Sequence, residues 1–174
     1  MPDWLPDIVC VDPWAEGTYD LLYDIFCRDI RDYDLRYLGN EVWVFPDMEE
    51  GREKIFWHLT TRSVRKIRIP RRKRKFYPAG QTYIDEGRYP DLRRCERLPW
   101  IRVLIENARD PGVLAWDYEE GDSTIKTYVW LKHYDFTVIM KKYPDNKRRL
   151  ITSFYVDKSY KRMDFERKYA NRIK

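Results

Sequence analysis

After Trp100 the hydrophobic pattern changes to a period of two, in short segments separated by turns. This constrains the fold more than any other feature, because successive residues of a strand point to opposite faces. The segments predicted as strands are Ile101–Glu106, Val113–Tyr118, Ile125–Lys132, Phe136–Lys141 and Leu150–Val156. In the third, Ile125, Thr127, Val129 and Leu131 alternate with Lys126, Tyr128, Trp130 and Lys132. That reads as a half-buried strand showing basic and aromatic side chains on its other face. Glu120-Gly121-Asp122, His133-Tyr134-Asp135 and Pro144-Asp145-Asn146 supply the turns. Connections this short join antiparallel neighbours, since parallel ones need a crossover of about a dozen residues or more.

Helices flank the strand region. Asp12-Pro13 has the chemistry of a helix opening, and Tyr19, Leu22, Tyr23, Phe26 and Ile30 follow at steps of three and four. Asp20, Asp24, Asp29 and Asp32 fall mostly on the other side. A turn at Gly39-Asn40 precedes a short apolar segment, Val42 to Phe45, and a second helix is predicted from about Met48 to Leu59. Residues 62–99 read as a long basic excursion with little regular structure, and a basic helix over Tyr160 to Ile173 closes the chain. The predicted class is α+β: N-terminal helices, a four- to five-stranded antiparallel sheet and a C-terminal helix. At 174 residues the chain has the length of one domain, read as an acidic helical segment 1–48 and a core 49–174.

Charge divides the chain. Residues 1–50 carry a net −10, residues 51–100 a net +10 and residues 101–174 a net +5. A basic body points to a polyanionic partner, and nucleic acid is the commonest. The cluster Arg71, Arg72, Lys73, Arg74 and Lys75, followed by Phe76 and Tyr77, fits electrostatic capture of RNA; a solvated charge run is the other reading. With three separated cysteines and two histidines, neither a disulfide framework nor a zinc site is predicted. No apolar run approaches the roughly 18 residues of a membrane helix, and the start lacks the basic and apolar regions of a signal peptide. A soluble, cytoplasmic chain without metal, cofactor or membrane contact is the expectation. No Gly-rich phosphate loop, serine nucleophile elbow or metal-binding carboxylate set is present, which disfavours kinases, hydrolases and two-metal nucleases.

Several stretches suggest a family. Phe56-Trp57-His58-Leu59, Tyr89-Pro90-Asp91-Leu92-Arg93-Arg94-Cys95-Glu96-Arg97, Ile105-Glu106-Asn107 and Leu150-Ile151-Thr152-Ser153-Phe154-Tyr155 span about two-thirds of the chain. With helices preceding an antiparallel sheet, the chain resembles a bacterial and phage-associated toxin branch of the metal-independent ribonucleases, the barnase, EndoU, colicin and RelE-like (BECR-fold) superfamily. Where relatives carry Ala before the aromatic of the last strand, this chain has Ser153. The resemblance implies an endoribonuclease acting through the ribose 2′-hydroxyl, with RNA as substrate (tRNA, mRNA or rRNA) and a cognate antitoxin or immunity protein as partner.

Such chemistry needs a proton-transfer group and cations at the phosphate. The resemblance makes His58 the leading general acid/base, although a His packed against Trp57 with no chemical role fits the sequence equally. His133, in a hairpin turn, is either a second proton-transfer group or a surface residue. Arg93, Arg94 and Arg97 suit phosphate binding, since guanidinium binds phosphate with two parallel hydrogen bonds; a structural ion-pair set with Asp91 and Glu96 is the alternative. Thr152 and Tyr155 complete the catalytic candidates, Thr152 sharing a strand face with Phe154 and Tyr155 sharing the other with Ser153. Arg62 joins the basic cluster as an RNA contact, and Trp130 with Lys132 forms a face on which a base stacks. Two other readings remain open: a non-catalytic nucleic-acid-binding protein, and an antitoxin-like or phage accessory protein acting through protein contacts.

Overall fold

The computed structural model describes residues 1–64, 66–76, 81–85 and 87–174. The first helix, α1 (Thr18–Phe26), buries Leu22, Ile25 and Phe26. It starts at Thr18 rather than at Pro13, because Gly17 with φ +85° holds the preceding chain outside helical geometry. A π-helical turn, Cys27–Arg31, continues it and buries Ile30 together with Asp29. Asp29, expected on the solvated side, is instead 2 % exposed and accepts hydrogen bonds from Arg28, with Arg102 at 3.4 Å.

Strands β1 (Arg36–Tyr37) and β2 (Asn40–Trp43) form a hairpin around Leu38 and Gly39. A second hairpin, β3 (Met48–Glu49) with β4 (Arg52–Glu53), occupies the first half of the predicted second helix. Glu50 and Gly51, with φ +49° and +77°, break any helix there, so α2 begins only at Lys54 and ends at Thr60. Phe56 on α2 meets Phe26 and Tyr23 of α1 edge to face, with ring centroids 5.7 Å and 5.2 Å apart.

The basic excursion is more regular than its composition suggests. It contains β5 (Thr61–Ser63), β6 (Lys66–Arg68), a 3₁₀ turn at Arg71–Phe76, β7 (Tyr83–Asp85), β8 (Arg88–Pro90) and helix α3 (Leu92–Glu96). These strands pair as two nested ribbons, β5 with β8 and β6 with β7.

The segment Ile101–Glu106 is a helix, α4 (Trp100–Glu106), and not the first strand of the sheet. Its Ile101, Val103 and Ile105 alternate, but Trp100, Ile101, Leu104 and Ile105 also recur at helical spacing, and those four are the buried ones. The other four predicted strands are present as β9 (Val113–Glu119), β10 (Ile125–Leu131), β11 (Phe136–Lys142) and β12 (Arg148–Tyr155), followed by α5 (Ser159–Ala170). They form an antiparallel meander that β2 and β1 extend to six strands in the order β1-β2-β12-β11-β10-β9, β2 running parallel to β12. A register shift falls between Ile139 and Met140: Ile139 faces Thr152, and Met140 faces Leu150.

Both faces of the sheet are covered. Val129, Leu131, Val138, Met140 and Leu150 share one cluster with residues of α1, α2 and α4 and with Leu5 and Val11 from the start of the chain. On the opposite face Trp116, Tyr128, Trp130 and Ile139 pack under Phe165 of α5. Trp116 and Tyr128 stack at 5.1 Å, and the Phe165 ring meets Trp130 at 5.6 Å. The expectation of an aromatic face open to RNA fails here, because α5 covers it: Trp130 is 0 % exposed. Among the described residues, no helix is long and apolar enough to cross a membrane.

Candidate functional site

The candidate site is built around the short ribbon of β5 and β8. Thr61 pairs with Pro90, Arg62 with Tyr89 and Ser63 with Arg88. Because side chains alternate along a strand, Arg62 and Tyr89 point to one face of the ribbon while Thr61 and Arg88 share the other. The diagonal contact on that second face is direct: Arg88 Nε donates to Thr61 Oγ1 at 2.7 Å. Thr61 Oγ1 in turn donates to the Trp57 carbonyl at 2.5 Å, so its one hydroxyl both gives and receives.

Asp91 follows β8 and caps α3, its carboxylate accepting from the Arg94 amide at 3.3 Å. It is 8 % exposed and lies 2.9 Å from the Arg62 guanidinium and 3.4 Å from that of Arg94. Arg94 Nη1 also donates to the His58 carbonyl at 2.6 Å, tying the end of α2 to α3. Burial pushes the Arg94 guanidinium below its ordinary pKa; Asp91 opposes that shift, and Arg62 and Arg88 add to it. Two guanidinium groups, those of Arg62 and Arg94, therefore share one carboxylate, leaving excess positive charge.

His58 is exposed on α2, with Nδ1 3.3 Å from Arg88 Nη2. Guanidinium only donates, so Nδ1 accepts there and a neutral ring carries its proton on Nε2. His58 thus lies against the Arg88 cation.

Two clefts flank the ribbon. One, of about 510 Å³, is lined by Tyr19, Glu49, Glu50, Trp57, Thr61 and Arg88, and His58 adjoins it through Arg88. The other, of about 620 Å³, is lined by Arg62, Tyr89, Asp91, Arg93, Tyr155 and Lys158 among others. The catalytic candidates do not all meet in one pocket. Arg93 and Tyr155 lie together in the second cleft, the guanidinium 4.4 Å from the ring centre. Arg94 bridges the two groups, and His58 belongs with the first. Thr152 is half-buried opposite Ile139, on the strand face opposite that of Tyr155. Arg97 pairs with Glu96 at 2.9 Å and lies over the rings of Trp100 and Tyr155, at 5.1 Å and 5.3 Å.

Of the RNA-contact candidates, Arg71, Arg72, Lys73 and Lys75 are exposed on the 3₁₀ turn, whereas Arg74 is half-buried and donates to the Ile69 carbonyl at 3.3 Å. Phe76 is 76 % exposed, and Tyr77 lies outside the described residues. Lys132 is paired with Glu166 at 2.8 Å, and His133 is exposed on a 3₁₀ turn between β10 and β11. Among the described residues no group of His, Cys, Asp and Glu side chains is arranged to hold a metal ion. Sequence reasoning missed Thr61, Arg88, Tyr89 and Lys158 as site residues. The signal available was slight, two short runs, Thr61-Arg62-Ser63 and Arg88-Tyr89-Pro90, that become ribbon strands only once the two are paired.

No family model matches the chain, and no curated protein or solved structure is similar enough to count as a relative. The resemblance to the metal-independent ribonucleases rests on its sequence motifs alone.

Proposed function

We propose that the protein is a metal-independent endoribonuclease that acts as a toxin, with His58 as its proton-transfer residue. The observation that carries this reading is the His58–Arg88–Thr61 group: an exposed imidazole beside a guanidinium that a hydroxyl holds in place. A phosphodiester entering this cleft draws the Arg88 guanidinium to its oxygens and releases Nδ1 of His58 to accept the ribose 2′-hydroxyl proton. The 2′-oxygen then bonds to phosphorus, the bond to the 5′-oxygen breaks, and that oxygen takes a proton from water while His58 returns the proton it accepted to solvent. The products are a 2′,3′-cyclic phosphate and a 5′-hydroxyl end. Arg88 stabilises the charge that builds on phosphorus-bound oxygens, a contribution of about 10²–10³-fold for one well-placed donor.

The test is cleavage of RNA by the purified protein in EDTA, with the product ends identified. His58→Ala should lose about 10²–10⁴-fold in rate while keeping its circular dichroism spectrum. A requirement for added divalent metal, or full activity in the variant, overturns the mechanism. Toxicity on expression, relieved by the same substitution, is the matching test in cells, and an acidic antitoxin or immunity protein is the partner that this basic surface would bind.

A second reading has one observation in its favour. Glu49 and Glu50 line the cleft beside His58 and oppose a phosphate there, whereas the second cleft carries Arg62, Arg93 and Lys158. A nucleic-acid-binding protein without catalysis uses only that second cleft, and salt-sensitive binding with no cleavage is its signature.

A further inference from the structure

We infer that the cleft on the Tyr89 side of the β5–β8 ribbon is a subsite for one unpaired nucleotide, so that the ligand is single-stranded. This rests on the proposal that the ligand is nucleic acid. Tyr89 is 45 % exposed and stands directly across the ladder from Arg62. Arg62, Arg93 and Lys158 set three cations around the cleft, against the carboxylates of Asp91 and Asp157. Asp91 is already engaged by Arg62 and Arg94, and Asp157 by Lys161 at 3.3 Å. Arg93 and Lys158 are the cations that remain for a phosphate, and the exposed Tyr89 ring suits the flat face of a base. At about 620 Å³ the cleft falls within the roughly 300–1,000 Å³ typical of small-molecule sites.

Two features restrict the ligand to a single strand. A base lying on Tyr89 offers its face to the ring, and in a duplex that face is stacked on its neighbours. The two clefts also lie on opposite faces of a ribbon only two strands wide, about 5 Å from strand to strand. A chain that touches both has to turn around the ribbon, which a flexible strand does and a stiff duplex, with a persistence length of about 150 base pairs, does not. The two Tyr rings of the cleft are not equivalent, because Arg93 and Arg97 already lie over Tyr155, at 4.4 Å and 5.3 Å. Tyr89 is therefore the stacking residue.

The experiment measures fluorescence anisotropy of a labelled 2′-O-methyl oligonucleotide, which has no free 2′-hydroxyl and is not cleaved. Its DNA counterpart and a duplex of the same sequence are run beside it. Tyr89→Ala should weaken binding of the single strand by about 5- to 140-fold, the range for loss of one base–aromatic stack, while Tyr89→Phe stays near the parent. The single strand should bind more tightly than the duplex at equal salt. Equal binding of strand and duplex, equal loss in Tyr89→Ala and Tyr89→Phe, or no binding of either strand at moderate salt overturns the inference. The DNA arm decides whether the sugar is read as well. Failure of the catalytic reading is separable: a protein that binds the oligonucleotide through Tyr89 but leaves RNA intact keeps the subsite and loses the nuclease.

Discussion

Replacing Asp91 tests whether one carboxylate holds the two halves of the site together. It caps α3 through the Arg94 amide and pairs with Arg62 and Arg94 while only 8 % exposed. Losing a helix cap costs about 0.5–2 kcal/mol. Arg62, whose side chain is 45 % exposed, adds little, since solvent-exposed ion pairs contribute about 0–1 kcal/mol. Arg94, 17 % exposed, contributes more, because a hydrogen bond to a charged group is worth about 1.5–3 kcal/mol and its loss leaves a half-buried cation without its counter-charge. Asp91→Ala should therefore cost about 2–6 kcal/mol, whereas Asp91→Asn, which keeps the cap and loses the charge, should cost about 1.5–4 kcal/mol. Urea denaturation followed by tryptophan fluorescence reads this out, and seven tryptophans give ample signal. With a slope of about 1–3 kcal/mol per molar, the alanine midpoint falls by roughly 1–3 M. An alanine variant within about 0.5 kcal/mol of the parent, which is the range of an ordinary surface change, refutes the argument. So does an asparagine variant as unstable as the alanine one, which would leave nothing for the cap.

Trp130→Ala should destabilise the protein by about 3–5 kcal/mol through the cavity left under α5. The milder Trp130→Phe should fold and bind oligonucleotide as the parent does; a loss of affinity in that folded variant would contradict the burial of this side chain. Changing Arg71, Arg72, Lys73 and Lys75 together to alanine should leave the unfolding midpoint in place but flatten the salt dependence of binding, by about 0.7 in logarithmic slope for each single-strand phosphate that these side chains neutralise. An unchanged slope would remove this turn from the binding surface. Burial acts to raise the Glu120 carboxyl, but hydrogen bonds from Tyr128 and Lys168 outweigh it and hold the group below the ordinary carboxylate range. Its stabilising contribution is present above the ordinary carboxylate pKa and fades as pH falls through the lowered value. Glu120→Gln should therefore reduce stability at neutral pH and narrow the gap to the parent in acid. A gap that widens on acidification would reverse the assigned direction.

The strands β9 to β12 were legible because each is a short apolar, β-branched or aromatic run bounded by turn residues that the sequence displays, although β10 and β11 bury consecutive residues and not alternate ones. Trp100–Glu106 was misread because its apolar residues satisfy both periods at once. Pro99 was the deciding signal, since proline with φ −65° is suited to a helix start. The strand Ile125–Leu131 was placed correctly, but its second face was not. Nothing local to Trp130 announces that α5 will return across it, and Phe165, the ring that seals it, lies on a helix read only as basic. At the site, His58 and the α3 arginines were visible as residue types. Their separation into two clefts was not, because it follows from pairing Arg62 with Tyr89 across the inner β6–β7 ribbon. The hairpin at Glu50-Gly51 illustrates the same point on a smaller scale: apolar spacing favours a longer α2, and left-handed backbone at two residues overrules it.

The distance along the chain between the two walls of the Tyr89 cleft has a consequence for biosynthesis. One wall comes from residues near Arg62 and Tyr89, and the other from Tyr155 and Lys158 at the far end of β12. Strand β2 likewise waits for Arg148 and Arg149 before its parallel partner exists, and Trp4 waits for Asp110, 106 residues later. A polypeptide still being made from its N-terminal side thus exposes its arginine-rich middle before the second wall of that cleft exists.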